Sequence, residues 1–274
     1  MRVFISVDIE GIAGVASTAQ TVPGGHGYED ARRWMTDEVN AAVAGAREAG
    51  ATAFLVADGH GNALNLLYDR LPTDVQVVAS WPRPLSMMQG VDEGWDHAFM
   101  IGYHTGGHHQ AGVLAHTFRG MQIASVTING APASELTFNA MVAAEYGVGV
   151  SLVTGDDPTC AHAAEIIPGV TTAAVKVDCG REAARTLLPQ AACALITASA
   201  KEALQKSPPT PFSFEAPLSI EITFKHHWNA ELLSYLPFIT RKSAYGIAFS
   251  TQSASEAAAI FKFITSYQPL PPTV

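Results

Sequence analysis

The sequence predicts an α/β fold, a mostly parallel sheet flanked by helices, with a smaller α+β subdomain at its C-terminal end. Three observations predict it. Hydrophobic runs at 3–7, 53–57 and 98–101 alternate with stretches of helical periodicity. Each run passes directly into a polar, glycine-containing segment: Asp8-Ile9-Glu10-Gly11, Asp58-Gly59-His60-Gly61, and Gly102-Tyr103-His104-Thr105-Gly106. The proline-rich stretch Ser207-Pro208-Pro209-Thr210-Pro211 then breaks the composition, since consecutive prolines cannot continue a helix.

The elements follow in order. Strand 1 covers 3–7 and leads into a long loop through Pro23-Gly24-Gly25-His26-Gly27. A helix over 28–49 is expected from Met35, Val39, Val43 and Ala46 at helical spacing, with Gly50 as its stop. Strand 2 is 53–57, a short helix is expected over 63–71, and strand 3 is 75–78. Strand 4 covers 98–101, and residues 106–112 read as a loop over the rim. A strand at 123–128 reaches the turn dipeptide Asn129-Gly130. Ser134 can cap a helix over 135–146. A strand at 150–154, a helix from Thr159, a strand at 170–177 and a helix over 181–206 follow. Beyond 207 the pattern is β-α-β-α at 218–224, 229–235, 243–250 and 255–267, and the tail Pro269-Leu270-Pro271-Pro272 reads as frayed. The expected division is residues 1–206 as the α/β domain carrying the candidate metal site and residues 207–274 as the smaller subdomain.

Composition narrows the function. The net charge of −9 and the lack of basic runs argue against nucleic acid and membrane surfaces as partners. No apolar run approaches the ~20 residues of a membrane span, and Asp8 interrupts the first one, so no signal peptide is expected. Cys160, Cys179 and Cys193 are odd in number and lack CxxC spacing, which fits free, buried thiols in a reducing cytoplasm. Only 15% of residues are charged, which points to an oligomer that buries part of its surface.

If the three runs are parallel strands, Asp8, Glu10, His60 and His104 converge on one rim, where open α/β sheets bind ligands. Alone, Asp8 and Glu10 could be solvated carboxylates and His60 a surface histidine. Asp58 could orient a ligand imidazole or merely shape a turn. Jointly, carboxylates and imidazoles from three separate strand ends suit Zn²⁺, with Mn²⁺ or Co²⁺ as alternatives. A carboxylate able to bridge makes two ions at roughly 3.5–4 Å feasible.

Ser6-Val7-Asp8-Ile9-Glu10-Gly11 resembles the Ser-x-Asp-x-Glu-Gly signature of the zinc-dependent D-aminopeptidases of the DppA type. The resemblance continues through the His60 and His104 segments, Gly112-Val113-Leu114-Ala115-His116-Thr117, and Asn129-Gly130 to Glu135-Leu136-Thr137-Phe138-Asn139-Ala140. It then takes in Gly155-Asp156-Asp157 and Thr171-Thr172-Ala173-Ala174-Val175-Lys176, and loosens after Leu218. It implies two zinc ions per chain. Asp8 would bridge them, Glu10 and His60 would complete one site, and His104 and Glu135 the other. Residue reading alone gives Glu135 as a first-turn glutamate favoured by the helix dipole. The resemblance also makes His116 the catalytic histidine, a nucleophile or, on chemical grounds, a proton donor or oxyanion stabiliser. Ala115 departs from the family, where Ser is expected. His108, His109, His162, His226 and His227 read as surface or structural residues, and His26 as a loop residue near the site.

The resulting expectation is a cytoplasmic di-zinc aminopeptidase acting through a metal-activated hydroxide on short peptides with a free N-terminus, of the D-Ala-D-Ala type. A homodecamer of two stacked pentameric rings is implied with it. The rival readings are another binuclear hydrolase, amidase or phosphoesterase, and a noncatalytic peptide-binding protein linked to peptide uptake.

Overall fold

A computed structural model describes residues 1–207 and 209–267, so the tail at 269–272 lies outside the described residues. The elements run β1 (Arg2–Val7), α1 (Tyr28–Glu48), β2 (Ala53–Asp58), β3 (Val75–Val78), β4 (His97–Tyr103), β5 (Ile123–Ile128), β6 (Ala131–Pro132) and α2 (Glu135–Glu145). They continue with β7 (Gly149–Asp156), α3 (Asp157–Ile166), β8 (Thr171–Gly180), β9 (Ala183–Thr186) and α4 (Pro189–Gln205). The last are β10 (Leu218–Phe224), α5 (His227–Leu233), β11 (Thr240–Arg241), β12 (Gly246–Thr251) and α6 (Ala254–Ser266).

The main sheet has the order β3-β2-β1-β4-β7-β8-β9. All its pairings are parallel except β8 with β9. Both faces of this sheet are covered, which is why β1, β4 and β7 read as unbroken apolar runs. Alternate residues of β1 divide between the faces. Val3, Ile5 and Val7 pack with Met35 and Val39 of α1 and Ile196 of α4. Phe4 joins the opposite core, with Leu136 of α2, Ile222 of β10 and Phe261 of α6.

The chain leaves β1 towards β2 on one side, and β4 joins β1 on the other, so the strand order reverses between β1 and β4. Such a switch point opens a crevice beyond the carboxyl ends of the strands. The strand ends are level there, with Val7 opposite both Asp58 and Ile101. Two glycines let the loops beyond β1 and β4 touch. A Cβ on Gly11 would lie 2.1 Å from the Tyr103 carbonyl oxygen, and one on Gly102, at φ +69°, 2.3 Å from the Asp8 carbonyl oxygen.

A second, antiparallel sheet has the order β11-β12-β10-β5-β6. It joins strands from 123–132 to strands after 218, so a cut at 206/207 would part β5 and β6 from their own sheet. Two expected helices differ. Over 63–71 there is a loop with one 3-10 turn at Tyr68–Arg70, because the Asp58 carboxylate takes the Asn65 and Leu66 amides that a helix would use. Over 181–206 the first residues form β9, which folds back on β8, and the helix begins only at Pro189. Of the cysteines, Cys160 is buried and Cys193 half-buried, whereas Cys179 is exposed, contrary to expectation, near the turn between β8 and β9. Among the described residues, no helix is long and apolar enough to cross a membrane.

Candidate metal centre

Asp8, immediately beyond β1, lies between two imidazoles. Its Oδ1 is 3.1 Å from His60 Nδ1, and its Oδ2 is 3.5 Å from His104 Nε2. Each imidazole also faces a second carboxylate. His60 Nδ1 is 2.9 Å from Glu10 Oε2, and His104 Nε2 is 3.3 Å from Glu135 Oε1. The cluster thus has two arms, each an imidazole and a carboxylate, sharing Asp8. All five residues converge at the crevice; Asp8 and Glu10 sit in the loop beyond β1, not within the strand.

The outer nitrogens fix the tautomers. His60 Nε2 donates to the Thr21 carbonyl at 2.6 Å, and His104 Nδ1 donates to the Thr105 carbonyl at 2.9 Å. In the neutral rings the inward nitrogens are therefore lone pairs, aimed at carboxylate oxygens. Acceptors facing acceptors repel unless a cation lies between them. Two of these buried atoms, Glu10 Oε2 and His104 Nε2, have no hydrogen-bond partner among the described residues. Without a metal, protons take the cation's place. Burial opposes charge on both imidazoles, yet the carboxylates of Glu10 and Asp8 raise His60, and those of Glu135 and Asp8 raise His104, well above the usual range. Burial would raise the Asp8 carboxyl, but His104 and His60 hold it well below its ordinary value. Oxygen and imidazole donors in this arrangement, with ligand atoms within 4.8 Å of one another in the Asp8, Glu10 and His104 group, fit zinc.

A shell of fixed groups aims these side chains. Tyr103 Oη lies 2.7 Å from Ser6 Oγ and accepts from Asn139 Nδ2 at 2.8 Å, which ties β1, β4 and α2 together beneath Asp8, His104 and Glu135. Ser134 caps α2 by accepting from the Thr137 amide, so Glu135 falls in the first turn. Glu135 Oε1 also accepts from the Phe118 amide at 2.6 Å. Asp58 proves to be a turn residue. It accepts from the amides of Asn65 and Leu66 and, at 3.3 Å, from that of His60, and makes no bond to the His60 ring.

Sequence reasoning missed Lys176, which appeared only inside a longer motif. Its ammonium is buried and donates to the carbonyls of Glu10, Ile12 and Val15, knotting the loop that carries Glu10. Burial depresses its pKa to about 8, against the pull of Asp156, Glu38 and Glu10. Asp156 likewise gains a role, since its Oδ2 accepts from the Val113 amide at 2.7 Å and steadies the segment leading to His116.

His116 stands beside the second arm. Its ring stacks on His104, with centroids 4.2 Å apart and planes within 10°. Its Nδ1 donates to the Leu114 carbonyl at 2.8 Å, and its Nε2 lies 3.8 Å from Glu135 Oε1. Its side chain is 20% exposed, so Nε2 is reachable from the crevice. The other histidines keep away from the cluster. His26, His108, His109, His226 and His227 are exposed, and His162 Nε2 is 3.3 Å from the Ser134 hydroxyl.

A mostly parallel α/β sheet with a buried carboxylate–imidazole cluster at its switch point is the setting of a metal-dependent enzyme. Comparison with known proteins makes this specific. The D-aminopeptidase family model matches residues 1–263, and the chain belongs to that family. A D-aminopeptidase of Bacillus subtilis (strain 168) is 35% identical over 238 residues, 86% of either chain. The solved structure of the Zn-dependent D-aminopeptidase DppA from Bacillus subtilis, described as a self-compartmentalizing protease, superposes with a TM-score of 0.92. It is 32% identical, over 97% of each chain.

Proposed function

We propose that this chain is a di-zinc aminopeptidase that removes the N-terminal residue of short peptides, D-amino-acid peptides of the D-Ala-D-Ala type. The observation that carries the reading is Asp8, which offers one carboxylate oxygen to each of two imidazoles whose inward nitrogens also face Glu10 or Glu135. In the proposed centre Asp8 would be the carboxylate shared by both ions, with Glu10 and His60 holding one and His104 and Glu135 the other. Zinc, when bound, supplies a Lewis acid for the scissile carbonyl and lowers the pKa of water towards neutrality.

The chain's own groups supply the rest. The three carboxylates offset the charge of the ions and fix their places. His116, with Nδ1–H committed to Leu114, can hold a proton at Nε2 and pass it to the departing amine. Its stacking on His104 keeps that nitrogen beside the centre. The low charged fraction, with the self-compartmentalizing character of the DppA relative, supports a homodecamer of two stacked pentameric rings that admits only small peptides. The free cysteines support a cytoplasmic setting.

The test is a hydrolysis screen of matched D- and L-dipeptides, with phosphoesters alongside, on zinc-reconstituted protein of measured metal content. Release of the N-terminal D-residue, dependent on about two zinc ions per chain, is the expected result. Turnover of phosphoesters alone would give the centre to a different hydrolase, and two bound metals without turnover of any substrate would favour peptide binding.

A further inference from the structure

The crevice has a second feature, a cationic cleft beside the metal centre. It encloses about 400 Å³ and is bordered by Gly59 and Gly61, which flank His60, and by Glu135. Its remaining wall carries Trp81, Phe118, Arg119 and Lys262. Lys262 Nζ lies 3.5 Å from the centre of the Trp81 ring, and the guanidinium of Arg83 lies 3.8 Å from the same ring. Arg83 is buried; its Nη1 and Nη2 donate to the carbonyls of Val78 and Asp58, and its Nε has no hydrogen-bond partner among the described residues. Among the described residues, no carboxylate pairs with Lys262 or Arg83.

This is unusual in a chain with a net charge of −9. Partial burial, with the neighbouring charges of Arg83 and Arg119 acting in the same direction, depresses Lys262 to about 8. Like charges gathered in a half-buried cleft oppose one another. An anion seated between them would relieve that repulsion with charge-assisted hydrogen bonds.

We infer that this cleft binds the terminal carboxylate of the substrate peptide, with Lys262 as its principal contact and Trp81 and Phe118 walling the C-terminal side chain. The inference rests on the aminopeptidase reading above. Chain length supports it. Two extended residues span at most about 7 Å, so a dipeptide that leaves the metal centre past Glu135 places its carboxylate in the adjoining cleft. A longer peptide would bring a neutral amide there, and the partly buried Lys262 would be left without a carboxylate. The other opening of the site, past Glu10 and His116, carries only exposed cations, Arg181 and Lys225, whose charge water already screens. There Arg181 pairs with Glu182 at 3.3 Å, and Lys225 donates to the Gly120 carbonyl. The cleft therefore makes the chain selective for the free acid and for the shortest peptides.

The experiment uses the zinc-loaded full chain and two probes. These are a reduced-peptide-bond analogue of D-alanyl-D-alanine as the free acid and the same compound as its carboxamide. Calorimetry should give the acid about 10–100-fold tighter binding than the amide. Lys262→Met should shrink that ratio about tenfold or more, Lys262→Arg should restore much of it, and zinc content and melting temperature should match the parent's. The ratio of kcat/KM for D-alanyl-D-alanine over D-alanyl-D-alaninamide should fall in parallel, mainly through KM. Equal binding of acid and amide to the parent, or an unchanged ratio in folded Lys262→Met, overturns the inference even if both peptides are hydrolysed. Acid-selective, Lys262-dependent binding without hydrolysis of either peptide upholds the cleft and overturns the aminopeptidase reading.

Discussion

The two arms of the carboxylate–imidazole cluster are chemically alike and structurally unequal. His104 sits at the end of β4 and is almost fully buried, and its companion Glu135 lies in the capped first turn of α2. The buried Ser6, Tyr103 and Asn139 network locks the elements that carry them. His60 and Glu10 belong to loops. His60 is 12% exposed and is held by the Thr21 carbonyl, from a 3-10 turn in the same β1–α1 connection that carries Glu10, while Glu10 depends on Lys176 to fasten its backbone. Groups on regular elements hold their geometry better than groups on loops. One arm is therefore built into the scaffold, and the other is assembled by ties between distant residues.

Asp8 is common to both arms, so its loss has the largest expected effect. Asp8→Ala should abolish turnover and take metal content towards zero. It also leaves each imidazole without one of its two carboxylates. Zinc measured on the purified variant is the check, and one fully occupied ion per chain would mean that the arms are independent and Asp8 does not bridge.

His116 touches the scaffold arm without closing it. His116→Ala should keep both ions and lower turnover about 10²–10⁴-fold, the range of a positioned acid or base. KM should change less than kcat, because the group acts on the transition state. Normal zinc with near-parental kcat would make the ring a packing partner of His104. Loss of zinc would instead move it into the ligand set.

Glu135→Gln and Glu10→Gln test the inequality directly. Each replaces a charged ligand by a neutral amide on one arm. Metal titration should show one weakened and one parental site in either variant, each change exceeding the roughly 10–100-fold typical of outer partners. Glu10→Gln should also loosen its loop, while Glu135→Gln leaves α2 in place. Hydrogen exchange at 9–15 against 135–140 separates the two outcomes. Equal loosening in both would remove the distinction between a scaffold arm and a loop arm.

What could be read from the sequence follows the same division. Asp8, Glu10, His60 and His104 were legible because each comes directly after an apolar run, and strand ends in a parallel sheet share one rim. Glu135 was not legible from its residues, since glutamate is common in any first helical turn; its place came through a family resemblance. The parallel sheet was legible for the same reason as the rim, through its continuous apolar strands. The second sheet was only half legible, because β5 pairs with β10 across about ninety residues and antiparallel register over that distance leaves no local mark. The expected helix at 63–71 failed because the Asp58 side chain captures backbone amides, a competition that periodicity does not register.

Lys176 is the tie that periodicity hides most completely, since a lysine in β8 reads as an outward, solvated residue. It is 2% exposed and serves three carbonyls of the loop after β1. Lys176→Met keeps the length and apolar stem of the side chain and removes the donors. Buried carbonyls left without partners cost about 1–3 kcal/mol each, so the loop should shift to recover them and carry Glu10 away from His60. The expected result is about tenfold weaker zinc at the loop arm, as for loss of an outer partner, with the scaffold arm unchanged. Lys176→Arg retains the charge but brings a planar fork into a site shaped for an ammonium, and should recover only part of the affinity. Titration of both variants against Glu10→Gln completes the test. If Lys176→Met weakens neither arm, the loop keeps its shape without its central cation, and the inequality of the arms lies in His60 and Thr21 instead. If it weakens both arms equally, Lys176 acts on the whole fold, and the loop arm is no more dependent on remote ties than the arm built on β4 and α2.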